Sequence, residues 1–501
     1  MLGACLTGTI GVCLGALLNV WGDEAFSLWT TGAGPLESYA RAVRFEDQPP
    51  LYFLIEGLWR VANETSIAFA RLPSAFFAAA AVAVIVLAAH RIAPRMPPVL
   101  VALLSGLNPI FIWAAAEMRV YALVLFIAAV LSWSFLDAFI ATPTSRRARV
   151  VYGVFALAGL YTQYYVGFVL LAHGLVLLAM RPKMLRTFVG LMALVALGFA
   201  PFVPVAISDV AASGSFVSRG TLVKAAHEVF DVIFAFMLPH DLDWSGIAKA
   251  GGFGLAALLI AGVFGFGRPV LADVCSRAAG LQWAGSIVVF VLLFGAFGVP
   301  LDPLRHLMVT APSSLIVSFT VLSALTRRRA LAIAIVSALS LSFAGATLWT
   351  NYRPPLAKQG DWERVAALLS TADPAIPIAI FPAESALPLG VYLRRPVVPI
   401  PRIMPFALDY VDATTLHSET DVARVLDPLY ARSSTLWLVS RDECAGANLT
   451  VYDYNCPYLE AYLRRRYRLA RTVDFRGSIA RLFVRASAAA LVASPKKHDA
   501  S

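Results

Sequence analysis

Apolar residues gather into stretches of about 17–25 between charged or Pro/Gly breaks, the length a helix needs to cross a bilayer core. Such stretches commit a chain to helices, because hydrocarbon offers the backbone no other hydrogen-bond partners. With 501 residues, 59% hydrophobic and 14% charged, and a mean hydropathy of +0.72, the chain is too apolar for a soluble protein of its size. Residues 2–20 follow no Lys or Arg, and Gly22-Asp23-Glu24 is no small-x-small cleavage site. This first stretch therefore reads as a retained span, and the native start could lie upstream of Met1.

Spans are expected near 2–20, 70–90, 97–116, 119–140, 150–163, 164–180, 186–205, 250–267, 281–299, 307–326 and 330–349, about eleven in all. Alternate loops are sharply basic: Arg91 and Arg95; Arg146, Arg147 and Arg149; Arg181, Lys183 and Arg186; Arg268 and Arg277; Arg327, Arg328 and Arg329. Against these thirteen basic residues stands one acid, Asp273. The positive-inside rule makes that side cytoplasmic, with the N-terminus inside and the C-terminus outside. Topology thus accounts for most of the net charge of +10, and no nucleic-acid partner is needed to explain it.

By this topology the residues able to do chemistry fall on the outer face. Asp23-Glu24 lies at the mouth of the first span, and Asp47 stands just before Gln48-Pro49-Pro50-Leu51-Tyr52 within a first outer loop at 21–69. The same face receives Glu117-Met118-Arg119-Val120-Tyr121, the hairpin tip Tyr161-Thr162-Gln163-Tyr164-Tyr165, His240-Asp241 and Arg305-His306. Carboxylates in a membrane setting are costly and default to functional candidates. Residues 50–62 are too short and too interrupted to span and read as an interfacial or partly re-entrant helix, in which the i, i+4 spacing of Glu56 and Arg60 permits a pair. A second outer segment, 205–249, is amphipathic around 219–238 and reads as a lid or as an inert interfacial helix.

After Trp349 the composition changes, and Pro354-Pro355 ends the last span. Residues 350–490 are expected to form an extracytoplasmic α/β domain, ahead of a disordered tail at 491–501. The patterns suggest helices at 361–370, 384–394 and 457–466, and strands at 376–381, 435–440, 467–475 and 479–485. Cys444 and Cys456, twelve apart in a polar loop of this domain, are expected to form a disulfide in an oxidising compartment. Cys5, Cys13 and Cys275 lack metal-ligand spacing and read as packing residues.

Asp23-Glu24, then Asp47-Gln48-Pro49-Pro50-Leu51-Tyr52, then Arg71-Leu72-Pro73-Ser74-Ala75 resembles the C-type (GT-C) integral-membrane glycosyltransferases of family 39, which include protein O-mannosyltransferases and lipid A aminoarabinose transferases. Asn108-Pro109 leading to Glu117-x-Arg119-x-Tyr121-Ala122-Leu123 is similar to that family's second outer-loop pattern. The resemblance covers the membrane part, 1–349. Two positions depart from it: Gln163 stands where relatives often carry His, and Arg305-His306 stands where Arg-Tyr is expected. The resemblance implies a polytopic helical enzyme of the bacterial inner membrane. It would move a sugar, with inversion, from a polyprenyl-phosphate donor to a lipid, glycan or protein acceptor hydroxyl on the periplasmic side.

That chemistry needs a base, a cationic cradle for the leaving phosphate, and partners for sugar hydroxyls. An ionised carboxylate can take the acceptor's proton when held within about 2.6–3.2 Å of it. The family's base falls on Asp23, with Glu24 orienting it or the acceptor. Arg305 and Arg119, helped by His306, are the phosphate candidates, since the planar guanidinium fork meets two phosphate oxygens at once. Tyr161, Gln163 and Tyr164 are candidates for the sugar, and Asp47, Glu117 and Tyr121 complete the substrate-binding set. A carrier with one phosphate requires no divalent cation, although one could be used. The single D-x-D match, Asp241-Leu242-Asp243, has no assigned place.

Every candidate has a structural alternative. Asp23-Glu24 and Asp47 can cap the helices that follow them, and Glu117 and Arg119 can anchor the interface. Arg305-His306 can be an ordinary outer loop, and Tyr161 to Tyr165 an aromatic belt; His90 and His173 read as structural. A secondary transporter is the alternative function, but it would place ionisable residues in mid-span and show inverted repeats. A catalytically silent membrane scaffold is the third reading.

Overall fold

A computed structural model of the chain describes residues 1–46, 48–94, 96–141, 144–213, 273–297, 307–324, 360–407, 409–441 and 454–486. The chain divides into two compact units. One comprises Met1–Leu17 and Ser27–Arg353, the other Leu18–Phe26 and Pro354–Ser501.

The first unit is helical. It begins with α1 (Leu2–Leu17), the later part of α2 (Gly22–Thr30), α3 (Pro35–Arg41), a π-helical turn (Ala42–Glu46), α4 (Leu51–Arg60) and the single turn α5 (Ile67–Ala70). Then come α6 (Leu72–Ile92), α7 (Pro98–Gly106), α8 (Pro109–Ala115), and α9 (Tyr121–Phe135) prolonged by a π-helical turn (Leu136–Ile140). Following these are α10 (Arg146–Leu160), α11 (Val166–Met180), α12 (Pro182–Phe199), α13 (Val203–Ser213), α14 (Val274–Phe297) and α15 (Ala311–Ala324). Among the described residues four helical segments are long and apolar enough to cross a membrane, or up to six if each of two bent pairs is one span. The expected spans at 250–267 and 330–349, and the amphipathic segment at 219–238, lie outside the described residues.

The stretch 97–116, expected as one span, is such a bent pair. Helix α7 stops at Gly106, the Asn108 side chain accepts from the Ile110 amide at 3.1 Å, and Pro109 takes the first position of α8. The axes of α7 and α8 differ by 54°. The first span also ends early, at Leu17, and α2 departs from α1 at 92°.

Close packing of α1 follows from a four-residue rhythm of small side chains, Gly3, Thr7, Gly11 and Gly15, all buried. A Cβ on Gly106 would come within 2.6 Å of the Gly3 carbonyl oxygen, so only glycine permits this approach of α1 and α7. Thr7 Oγ1 then donates to the Gly106 carbonyl at 2.9 Å. Where lipid removes the hydrophobic drive between helices, such backbone proximity is a main source of cohesion. Arg71, almost wholly buried, closes the far end of α1 by donating from Nη1 to the Gly15 carbonyl at 2.8 Å.

Helix α9 is buried on nearly every side, which is why it carries apolar residues all round. It packs on α6 through Ala78, Val82 and Ile85, at the centre of a core extending to α10, α11 and α14. Inside that core, Tyr152 Oη lies 2.8 Å from His173 Nδ1, and the imidazole stacks on Phe135 at 4.1 Å. His173 is therefore a core residue held through Nδ1, while its Nε2 is buried with no hydrogen-bond partner among the described residues.

In the second unit, the described residues between 360 and 486 build a five-stranded mixed sheet with helices. The elements are α16 (Trp362–Thr371), β1 (Ile378–Phe381), α17 (Ala386–Tyr392), β2 (Val398–Pro399), α18 (Tyr410–Thr414), α19 (Glu419–Arg432), β3 (Thr435–Ser440), α20 (Cys456–Arg466), β4 (Tyr467–Phe475) and β5 (Ser478–Arg485). Strand order is β2-β1-β3-β5-β4; β1 runs parallel to β2 and β3, and β5 antiparallel to β3 and β4. Gly477, at φ +70°, turns the β4–β5 hairpin. Trp362, Val365 and Leu369 of α16 join Ile378, Ile380, Trp437 and Val439 in the core.

Candidate active site

Asp23 and Glu24 occupy the first turn of α2, where unpaired amides favour negative charge. Asp23 is half-buried and Glu24 is buried. This placement suits helix capping and chemistry alike. The segment Leu18–Phe26 belongs to the second unit, and there the Val20 amide donates to the Tyr392 hydroxyl at 2.6 Å.

Residues of α2 from Ser27 onward belong to the first unit, where a buried polar cluster surrounds Arg119. Arg119 sits in the irregular stretch between α8 and α9 and donates from Nη1 to Ser27 Oγ at 2.9 Å and to Glu46 Oε2 at 3.1 Å. Glu46 accepts a further bond at Oε1 from Thr30 Oγ1, at 2.6 Å. The guanidinium also lies 6.0 Å from the Tyr121 ring centroid, and that ring stacks on Trp113 at 4.9 Å. Arg119 and Tyr121 thus come together as expected of neighbours, while Glu117 is fully buried beside them in sequence. Glu46 is not among the residues expected from sequence, where Asp47 is the acid nearest the Pro-Pro pair. A second acid directly before Asp47 was the only signal available in the sequence.

The end of α2 is tied down by two more arginines. Arg60 Nη1 donates to the Leu28 carbonyl at 2.7 Å and to Thr31 Oγ1 at 2.6 Å, and Arg41 Nη1 donates to the Trp29 carbonyl at 2.6 Å. Cations at a helix C-terminus meet unpaired carbonyls and the negative end of the dipole. This use of Arg60 leaves Glu56, one turn earlier in α4, without the pair that its spacing permits. Glu56 is fully buried, and neither carboxylate oxygen has a hydrogen-bond partner among the described residues. Burial pushes its pKa up to about 8, against a smaller opposing pull from the Arg60 charge.

Two expected site segments meet at the start of α4, where the Leu51 amide donates to the Tyr161 carbonyl at 2.9 Å. In the turn between α10 and α11, Tyr161 donates its hydroxyl to the Gly198 carbonyl at 3.0 Å and sets its ring against Phe199 and Phe202. Tyr164 donates to Asp209 Oδ2 at 2.5 Å, an acceptor that sequence reasoning did not single out. Gln163 is buried, with no hydrogen-bond partner for its carbonyl oxygen among the described residues. Asp47, Arg305, His306 and Cys444 lie outside the described residues; Cys456 opens α20, and Cys5, Cys13 and Cys275 are free. Among the described residues no group of three or more His, Cys, Asp or Glu could hold a metal ion.

No protein-family model matches the chain, and no curated protein matches it. Solved structures do: the chain has the fold of the C-type membrane glycosyltransferases. It is similar to ArnT, an aminoarabinose transferase, from Cupriavidus metallidurans. The apo crystal structure aligns over 97% of both chains with a TM-score of 0.54, and the structure bound to undecaprenyl phosphate over 99% of both chains with a TM-score of 0.56. Identity is 15% in each case, so the likeness is one of fold.

Proposed function

We propose that the protein is a glycosyltransferase of the bacterial inner membrane that takes its sugar from a polyprenyl-phosphate donor. The observation that carries this reading is the likeness to ArnT in its undecaprenyl-phosphate-bound form, over 99% of both chains. The acid pair that opens α2 supplies the chemistry. Asp23 takes the proton of an acceptor hydroxyl, and the freed oxygen attacks the anomeric carbon from the face opposite the phosphate. The bond from that carbon to the phosphate oxygen breaks with inversion, and the carrier phosphate leaves with the electron pair.

Glu24 orients the base, and the guanidinium groups of Arg119 and Arg305, with His306, receive the phosphate charge. Arg119 suits this task because Glu46 and Ser27 hold its planar head in one orientation before any ligand arrives. Asp47, Glu117, Tyr121, Tyr161, Gln163 and Tyr164 form the surrounding substrate contacts. The reaction requires no cofactor and is compatible with a divalent cation. The alternating basic loops support an active site facing the periplasm, with a lipid, glycan or protein acceptor there.

The test supplies purified protein in lipid nanodiscs with a panel of radiolabelled polyprenyl-phosphate sugars and a membrane extract as acceptor. Transfer of label from at least one donor, with inverted anomeric configuration in the product, is expected. Protein that binds the donors yet transfers from none of them refutes the reading.

A further inference from the structure

The four residues between α1 and α2, Leu18, Asn19, Val20 and Trp21, are all buried. A buried backbone amide needs an acceptor, and here no helix supplies one to Val20. Its acceptor is the hydroxyl of Tyr392, 372 residues later in the chain and the last residue of α17. Asn19 Nδ2 is 3.4 Å from Oδ1 of Asp361, which stands at the head of α16. Phe26 meets the ring of Tyr410 edge-on, with centroids 5.7 Å apart. These three contacts bracket Asp23 and Glu24 in sequence, and all lie within the unit that contains the sheet.

We propose that the C-terminal domain is part of the catalytic apparatus: Tyr392, supported by Asp361 and Tyr410, positions the segment that carries Asp23 and Glu24. The inference rests on the role given to Asp23 above. Tyr392 acts through the Val20 backbone and is a positioning residue. Its hydroxyl fixes where α2 begins, and therefore where the carboxylates of the first turn point. A base displaced by an ångström loses much of its effect, because proton abstraction demands hydrogen-bond distance. A domain joined late in the chain thus sets the geometry of residues near its start.

The test measures kcat and the donor KM in the full-length protein, using the radiolabelled polyprenyl-phosphate sugar that gives transfer in the panel. Tyr392→Phe removes the acceptor and keeps the ring; kcat should fall about tenfold to a hundredfold, with the donor KM within about twofold of wild type. Tyr410→Ala should lower kcat in the same way, and Tyr410→Phe, which keeps the ring edge, should restore it. Hydrogen exchange on wild-type protein gives an independent reading, in which the Val20 amide should be protected like the interior of α1. Wild-type kcat in Tyr392→Phe, or a freely exchanging Val20 amide, overturns the positioning role. If Asp23→Asn keeps its turnover, the base assignment is what fails. If Asp23→Asn is inactive while Tyr392→Phe is normal, the positioning role alone fails.

Discussion

Glu56 offers a sharp quantitative test of how the first unit is packed. Its carboxyl is fully buried in α4, with no hydrogen-bond partner among the described residues, and its pKa is pushed from 4.5 up to about 8. The folded protein therefore keeps a proton on Glu56 at pH 7, whereas the unfolded chain has released it. A carboxyl with a raised folded-state pKa contributes stability that is complete below the unfolded pKa of 4.5 and is lost as pH rises to about 8. The gap of about 2.5 units between pH 7 and the unfolded pKa, at 1.36 kcal/mol per unit, makes the loss ~3 kcal/mol at pH 7.

Glu56→Gln removes this pH dependence. Melting curves in nanodiscs should show the variant gaining on wild type steadily from pH 5 to pH 8. An infrared titration should show a protonated carboxyl band in wild type that vanishes near pH 8 and is missing from the variant. A carboxyl titrating near 4.5, or a variant less stable than wild type at every pH, would show that Glu56 is ionised and paired with Arg60.

Other consequences concern the polar cluster, the donor and the sheet domain. Glu46→Ala removes a carboxylate partner from the buried Arg119 and should cost about 3–5 kcal/mol of stability by thermal melting; a change below about 1 kcal/mol would mean the pair contributes little. Arg305→Ala should weaken polyprenyl-phosphate binding about tenfold or more in a lipid-binding assay, and unchanged affinity would remove it from the phosphate site. Thiol titration of the unfolded, non-reduced protein should find three free cysteines, the remaining two being Cys444 and Cys456 joined as a disulfide. Five reactive thiols would contradict that pairing.

Hydropathy made the helices legible, but not their breaks. The stretch 97–116 is apolar almost throughout, yet Asn108-Pro109 is a helix start, and the cap it forms splits the span. In the sheet domain β3 falls on the expected 435–440, because Thr435, Trp437 and Val439 favour a strand and the apolar run 436–439 is bounded by polar residues. Strand β2 has only two residues and no pattern to detect. Helix α19 is hard to read from sequence because Pro428 falls inside it and charged residues recur along it. Its signal was Ser418-Glu419-Thr420-Asp421, a capping box in which the Ser418 amide donates to Asp421 Oδ2 at 3.0 Å.

Within the candidate site, motifs picked out Asp23, Glu24 and Arg119 as individual residues. They could not reveal Arg119's carboxylate partner, since Glu46 lies 73 residues away and only folding brings the two together. Nor could they connect Val20 with Tyr392, because that contact depends on a backbone amide rather than on any side-chain pattern.

The central claim is that the Asp23 carboxylate removes the acceptor proton. Asp23→Asn keeps the size and replaces the charge, so its transfer rate from the radiolabelled donor, beside its donor affinity, is the most direct measurement. The account predicts at least about a hundredfold slower transfer with donor binding unchanged. Turnover within about twofold of wild type would contradict it.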